Sequence, residues 1–451
     1  MAKTKAKKVD LKGFDILNTH AAGIDIGSQS HFVAVPEYLT DNPVKEFGCF
    51  TSDLNSIADW LSSLEITTIA MESTGVYWIP LFEILEAKGF DVKLVNARHV
   101  KNAPGRKKTD RIDAKWIQKL HTFGMLTASF RPDDQVCVLR SYLRQRDTIV
   151  RSLAQHIQHM QKALQQMNVL LHNVIDDITG VTGLKIIRDI VSGETDPLTL
   201  ARHRDKRCKN PLDIIAKSLQ GNYRVEHIFS LKMALNSWDF SNQQLTDCDY
   251  EIETLLDQFD SKIDPDQMVP LKKSNRKKRK NQIKFNATQI IYRITGVDFS
   301  KVKGFDDNVL LKIISETGLD MSKWPTVKHF AAWLCLSPGA KITGGKIISS
   351  RTNRSKNKAN LAFRLAANAL HSSNCAIGAF LRRKKAQLGA PKAITATAHK
   401  LARLFYALMS NGTEYIDQGQ EYYEEKYQVR VLKNLKNRAR KQGYELVPIT
   451  S

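Results

Sequence analysis

The run AAGIDIGSQSHFVAV, residues 21–35, decides the fold class. Apolar residues fill both halves and a Gly27-Ser28 turn separates them, so it reads as two short strands folding back on each other. Asp25 stands inside the first strand, between Ile24 and Ile26. A carboxylate at the centre of an apolar strand is costly unless it is paired or holds a metal. The same run therefore suggests a fold and marks a residue.

Working outward, SDLNSIADWLSSL (52–64) has apolar residues at helical spacing, with Ser52 or Asp53 as its N-cap. TTIAME (67–72) is a β-branched run suited to a buried strand. VYWIPLFEILEAKG (76–89) reads as a helix after its proline, closed by Gly89. DVKLVN (91–96) is the next strand, and TDRIDAKWIQKLHTFG (109–124) is a helix capped by Thr109 and ended by Gly124. Strands alternating with helices imply a sheet with helices packed on its faces.

Further along the texture turns helical. Residues 138–171 carry Leu, Ile, Val and Met at three- and four-residue spacing, giving a long helix that suits either a coiled-coil arm or a bundle core. Residues 195–225 look irregular, and 242–259 form a second helix that would return antiparallel. LKKSNRKKRKN (271–281) is too basic for a core and reads as a solvated linker or nucleic-acid arm. Residues 289–318 resemble a helix-hairpin-helix. Residues 328–371 run helix, Gly-rich loop, helix, and 394–412 form another helix. The fold class is thus α/β followed by mostly α.

The 451 residues carry 68 Lys and Arg against 46 Asp and Glu, a net charge of +22, which points to a polyanionic partner. No apolar run is long enough to span a membrane, and the basic start of the chain lacks the apolar segment of a secretory signal. Six scattered cysteines form no C-x-x-C pair, arguing against structural zinc and for reduced thiols in a cytosolic protein.

Four acids stand out by context. Asp25 lies in one strand and Glu72 ends another, while Asp110 and Asp113 are three residues apart, so a helix points both the same way. Any one of them alone suits a cap or a surface charge, Asp110 especially, in a helix first turn. Together at one end of a sheet they would repel, and two Mg²⁺ ions held by oxygen ligands would relieve that repulsion and promote phosphoryl transfer. This is the logic of the RNase H-like nucleases. GIDIGSQS also resembles the phosphate loop of actin-like sugar kinases, but the second, D-x-G-G loop those enzymes need is not in the sequence.

The segments 23–35, 70–117 and 334–346 (LCLSPGAKITGGK) together resemble the DEDD transposases of insertion sequences, a family that includes the Piv-type DNA invertases. The resemblance implies an N-terminal RuvC-like domain, a coiled-coil arm and a C-terminal transposase domain, with Asp25, Glu72, Asp110 and Asp113 as catalytic metal ligands. It divides the chain into a basic tail (1–18), the RuvC-like domain (19–130), a helical region (131–262), a basic linker (263–287), a transposase domain (288–415) and a charged tail (416–451). It implies a recombinase of element ends and target DNA, a structured guide RNA, a homo-oligomer (dimer or tetramer), no membrane, and a bacterial, cytoplasmic, nucleoid-associated location.

The resemblance also implies a nucleophilic hydroxyl just before a glycine in the loop after L-x-P. Thr343 holds that position where many relatives have serine, with Ser349 and Ser350 as alternatives. Beside it, Lys341, Lys346, Arg351, Arg354 and Lys356 form a basic run suited to phosphates. Arg106, Lys107 and Lys108, and Arg276, Lys277, Lys278 and Arg279, are further candidate nucleic-acid contacts. Tyr77 and Trp78 read as core residues and His31 as a surface group. Two other functions fit the same residues: a Holliday-junction-resolvase-like nuclease using metal-activated water, and a non-catalytic nucleic-acid-binding protein.

Overall fold

The computed structural model describes residues 15–96, 109–264, 270–271, 280–355, 357–412 and 418–447. The chain divides into two compact units, Met1–Arg131 and Pro132–Ser451.

The first unit is built on a five-stranded sheet of order β3-β2-β1-β4-β5. β1 (Ala21–Ile26), β2 (Ser30–Ala34) and β3 (Val44–Gly48) form an antiparallel meander. β4 (Thr68–Glu72) and β5 (Asp91–Val95) continue it in parallel, each reached through a helix: α1 (Thr51–Ser63) and α2 (Trp78–Ala87). Alternation sends Ala22, Ile24, Ile26, Val33, Ile69 and Met71 to one face, where they share a core with Leu54, Ile57 and Leu61 of α1 and Leu81 and Leu85 of α2. α3 (Asp110–Thr122) covers the other face, with Ala114 against Ala34 and Val44, and Ile117 against Ala70 and Val95.

Local signals differ from the expectations in three places. α1 starts after Phe50, and Asp53 serves from inside the helix, its carboxylate accepting the Phe50 N–H at 3.1 Å. α2 begins before Pro80, which falls in the first turn, where the missing N–H costs no helical bond. β3 was not expected at all, because its VKEFG sequence buries only one side chain.

The second unit is helical. α4 (Asp134–Gln166) and α9 (Val225–Asp257) are 33 residues each. They run antiparallel, because the chain entering α9 meets the end of α4 (Asn222 N–H to Met167 O, 3.0 Å) while Asp249 meets Arg146. Residues 195–225 are not merely irregular. With α5 (Leu171–Val174) and α6 (Val181–Ser192), the short helices α7 (Pro197–Ala201) and α8 (Leu212–Ser218) pack into one core with α4 and α9. Asp196 starts α7 by accepting the Thr199 N–H at 2.7 Å, with Pro197 in the first turn.

α10 (Ala287–Thr295), α11 (Asp307–Thr317) and α12 (Val327–Trp333) lead to a short two-stranded hairpin, β6 (Lys341–Thr343) and β7 (Lys346–Ser349). α13 (Lys358–Ala369), α14 (Ala376–Leu388), α15 (Ala390–Asn411) and α16 (Gly419–Lys441) follow. Phe405 of α15 is fully buried, with Phe299, Phe330 and Phe363 around it at ring separations of 5.5, 6.3 and 5.7 Å. The Gly-rich segment expected to be a loop is therefore a hairpin standing between packed helices.

Candidate active site

The strand register brings the first two acids together. β1 and β4 are parallel with Ile24 opposite Met71, so Asp25 and Glu72 stand at the next positions along neighbouring strands. Asp25 shares its face with Gly23, and Glu72 with Ala70, which is the face covered by α3.

Two contacts orient α3 on that face. Thr68 Oγ1, at the start of β4, lies 3.0 Å from His121 Nε2 near the end of α3. In mid-strand, Gly23 lies so close to α3 that an added Cβ would come within 2.1 Å of Gln118 N and 2.7 Å of Ala114 O. α3 therefore runs against the strand direction, and its first turn points to the strand ends that carry Asp25 and Glu72. Asp110 and Asp113 lie in that first turn, and Thr109 caps it by accepting the Ile112 N–H at 3.3 Å. All four carboxylates thus belong to one end of one face.

Their surroundings differ. Glu72 is buried, 7% exposed, and its Oε1 accepts a hydrogen bond from Thr74 Oγ1 at 2.9 Å. Asp25 and Asp113 are half-buried and Asp110 is exposed. An all-oxygen donor set suits a hard divalent cation. Among the described residues, however, no three His, Cys, Asp or Glu side chains are gathered closely enough to hold one ion. The acids share a place in the fold without forming a closed ligand shell.

Two neighbouring residues need correction. His31 is not a surface group: it is 2% exposed, Cys49 Sγ is 3.6 Å from its Nε2, and burial lowers its pKa. Alternation along β2 turns it to the α1 face, with Val33 and away from Asp25. Trp78 does pack inward, edge-on to Phe82 at 5.6 Å, but Tyr77 is 48% exposed and not a core residue.

In the second unit Thr343 is exposed and ends β6. Gly344 and Gly345 follow with φ of +54° and +76°, and Lys346 pairs with Thr343 across the turn. Positive φ at both central residues is the tight hairpin turn that matches strand twist, and it explains the two glycines. Ser349 pairs with Lys341, and its Oγ accepts the Arg351 N–H at 3.3 Å; Ser350 is exposed beyond it. Lys341, Lys346, Arg351 and Arg354 are exposed. Lys356, Arg106 to Lys108 and Arg276 to Arg279 lie outside the described residues.

Comparison with known families bears on both units. A family model named DEDD_Tnp_IS110 and described as a transposase matches residues 22–169. A second, described as the transposase IS116/IS110/IS902 family, matches residues 298–381. The chain belongs to the IS110 family of transposases. No curated protein matches it. As an IS110-family member it is a DNA transposase, an enzyme of recombination at insertion sequences. The first match contains all four acids and the second contains Thr343 with its hairpin. Among the described residues, no helix of this transposase is long and apolar enough to cross a membrane.

Sequence reasoning missed Gly23, the residue that lets α3 approach the sheet. The signal was present: a glycine inside a strand marks close approach of another backbone.

Proposed function

We propose that this transposase cuts and rejoins DNA strands by phosphoryl transfer at Asp25, Glu72, Asp110 and Asp113, with Thr343 as the attacking hydroxyl. The observation that carries this is the delivery of four carboxylates, from two strands and a helix, to one end of one sheet face. Three antiparallel strands, two parallel strands joined by helices, and acids on the first strand, the fourth strand and the covering helix support an RNase H-like, RuvC-like reading of the first unit.

The four acids would hold Mg²⁺, two ions by the number of carboxylates; bound there, the metal would neutralise phosphate charge. The chain's own groups do the rest. Thr109 holds the first turn that carries Asp110 and Asp113, and Thr74 orients Glu72. Lys341 and Lys346 flank Thr343 and would hold the phosphate it attacks. The threonine oxygen forms a bond to phosphorus, the bond to one DNA oxygen breaks, and that oxygen takes up a proton. The phosphodiester energy stays in a protein–DNA link, ready for rejoining to another strand. A structured RNA would choose the strands and a homo-oligomer, dimer or tetramer, would hold the two duplexes; the net charge of +22 supports such polyanion partners.

The test is Mg²⁺-dependent nicking of supercoiled plasmid carrying an element end. Asp25→Ala should abolish nicking and leave nucleic-acid binding intact. Full nicking by Asp25→Ala would refute the carboxylate site.

A further inference from the structure

The β6–β7 hairpin shows its side chains to water on both faces. Ile342 pairs with Ile347, and Thr343 with Lys346. Alternation puts the two isoleucines on one face and Lys341, Thr343 and Lys346 on the other. Ile342 is 60% exposed, Ile347 67% and Ile348 68%. The only side-chain-free point is the tip, Gly344-Gly345, where an added Cβ would meet nothing within 4 Å. The ribbon is thin at its end, with Ile342 and Ile347 on one side and the lysines on the other, where alternation also puts Ile348.

The charge along this part of the sequence is one-sided. From Met321 to Thr413 the sequence holds 16 Lys and Arg and not one Asp or Glu. A segment this basic attracts polyphosphate. Phosphates match the Lys341–Lys346 face but offer nothing to isoleucine. Within a nucleic acid, the apolar surfaces are the base faces, and side chains such as Ile are inserted between base steps where duplexes are kinked.

We infer that the hairpin is a wedge in DNA. Lys341 and Lys346 sit on the phosphates of one strand, and Ile342 and Ile347 enter beside them against an unstacked base. The inference rests on the reading above that this hairpin works on DNA. It adds that the duplex is opened at the phosphate facing Thr343, which strand exchange requires.

The test uses the full chain without divalent metal, so that no cleavage occurs. The probes are duplexes of the element's terminal sequence with 2-aminopurine at successive positions, whose fluorescence rises on unstacking. Read at saturating protein, the parent should raise fluorescence at one or two adjacent positions. Ile342→Leu/Ile347→Leu should keep that rise, and Ile342→Ser/Ile347→Ser should lose it while helical circular dichroism is unchanged. A serine pair that raises fluorescence like the parent, or a saturated parent that raises it nowhere, overturns the wedge. Asp25→Ala should raise fluorescence as the parent does. Its nicking result bears on the carboxylates alone, so the two readings fail separately.

Discussion

Thr343 ends its strand with its hydroxyl in water, between two lysines of the same hairpin face. Cations lower the cost of charge on an attacking oxygen and on the phosphate it approaches. Thr343→Ser keeps the hydroxyl and removes a methyl, so the covalent protein–DNA adduct on a denaturing gel should persist or increase. Thr343→Ala should remove it. An adduct that survives the alanine change moves the role to Ser349 or Ser350; a parent that never forms one favours water attack, as in a resolvase. His121 offers a test of folding instead. Burial, with Lys93 nearby, pushes its pKa down to about 4, so the folded state keeps it neutral where the unfolded chain, with an ordinary value of 6.5, would bind a proton. Stability is therefore full above pH 6.5 and falls as the pH drops toward 4. The melting temperature should decline over that window, and His121→Gln should flatten the decline.

At the scale of elements, the approach of α3 to β1 decides where the acids stand. Gly23→Ala forces a methyl to within 2.1 Å of the Gln118 nitrogen, so α3 must move. Overpacking of this kind costs about 1–3 kcal/mol, and nicking should fall with the melting temperature while salt-sensitive nucleic-acid binding remains. The α4–α9 pair holds a different device: Arg146 and Asp249, both 5% exposed at their side chains, bond each other at 2.5 Å, and Arg146 also reaches Asn281 O. Arg146→Ala leaves a buried carboxylate alone and should cost about 3–5 kcal/mol in denaturant unfolding, whereas Arg146→Met with Asp249→Leu should cost much less. These elements were unequally legible in the sequence. α3 announced itself through the Thr109 cap, its apolar spacing and Gly124. β1, β4 and β5 were visible as dense apolar runs, and so were the positions of all four acids. β3 was not, because VKEFG carries no alternation; the β6–β7 hairpin does alternate polar and apolar residues about its glycine pair, but strands of three and four exposed residues are too short and too basic to stand apart from a charged loop. His31 and Tyr77 were misplaced because burial depends on which helix covers which face, a property of distant packing.

Across the whole molecule, charge and order are unevenly spread. The acid-free segment supplies 16 of the net 22 positive charges. Nucleic-acid affinity should fall steeply with salt, and Lys341→Gln/Lys346→Gln should reduce the log–log slope by about 1.8, at about 0.9 per phosphate contact. Neutralising Arg276, Lys277, Lys278 and Arg279 should flatten it further; an unchanged slope would make that run a solubilising linker. The same asymmetry extends to local stability. A two-stranded ribbon exposed on both faces gains little from the helical core beneath it, and an isolated hairpin is marginal in water. Hydrogen exchange should therefore divide the second unit sharply. The amides of Phe363 and Phe405 should open only with global unfolding, while those of Ile342 and Ile347 should exchange almost as fast as in an unfolded chain. DNA would then supply the missing partner layer, so the ribbon's amides should become protected on binding, and the transposase would finish folding on its substrate.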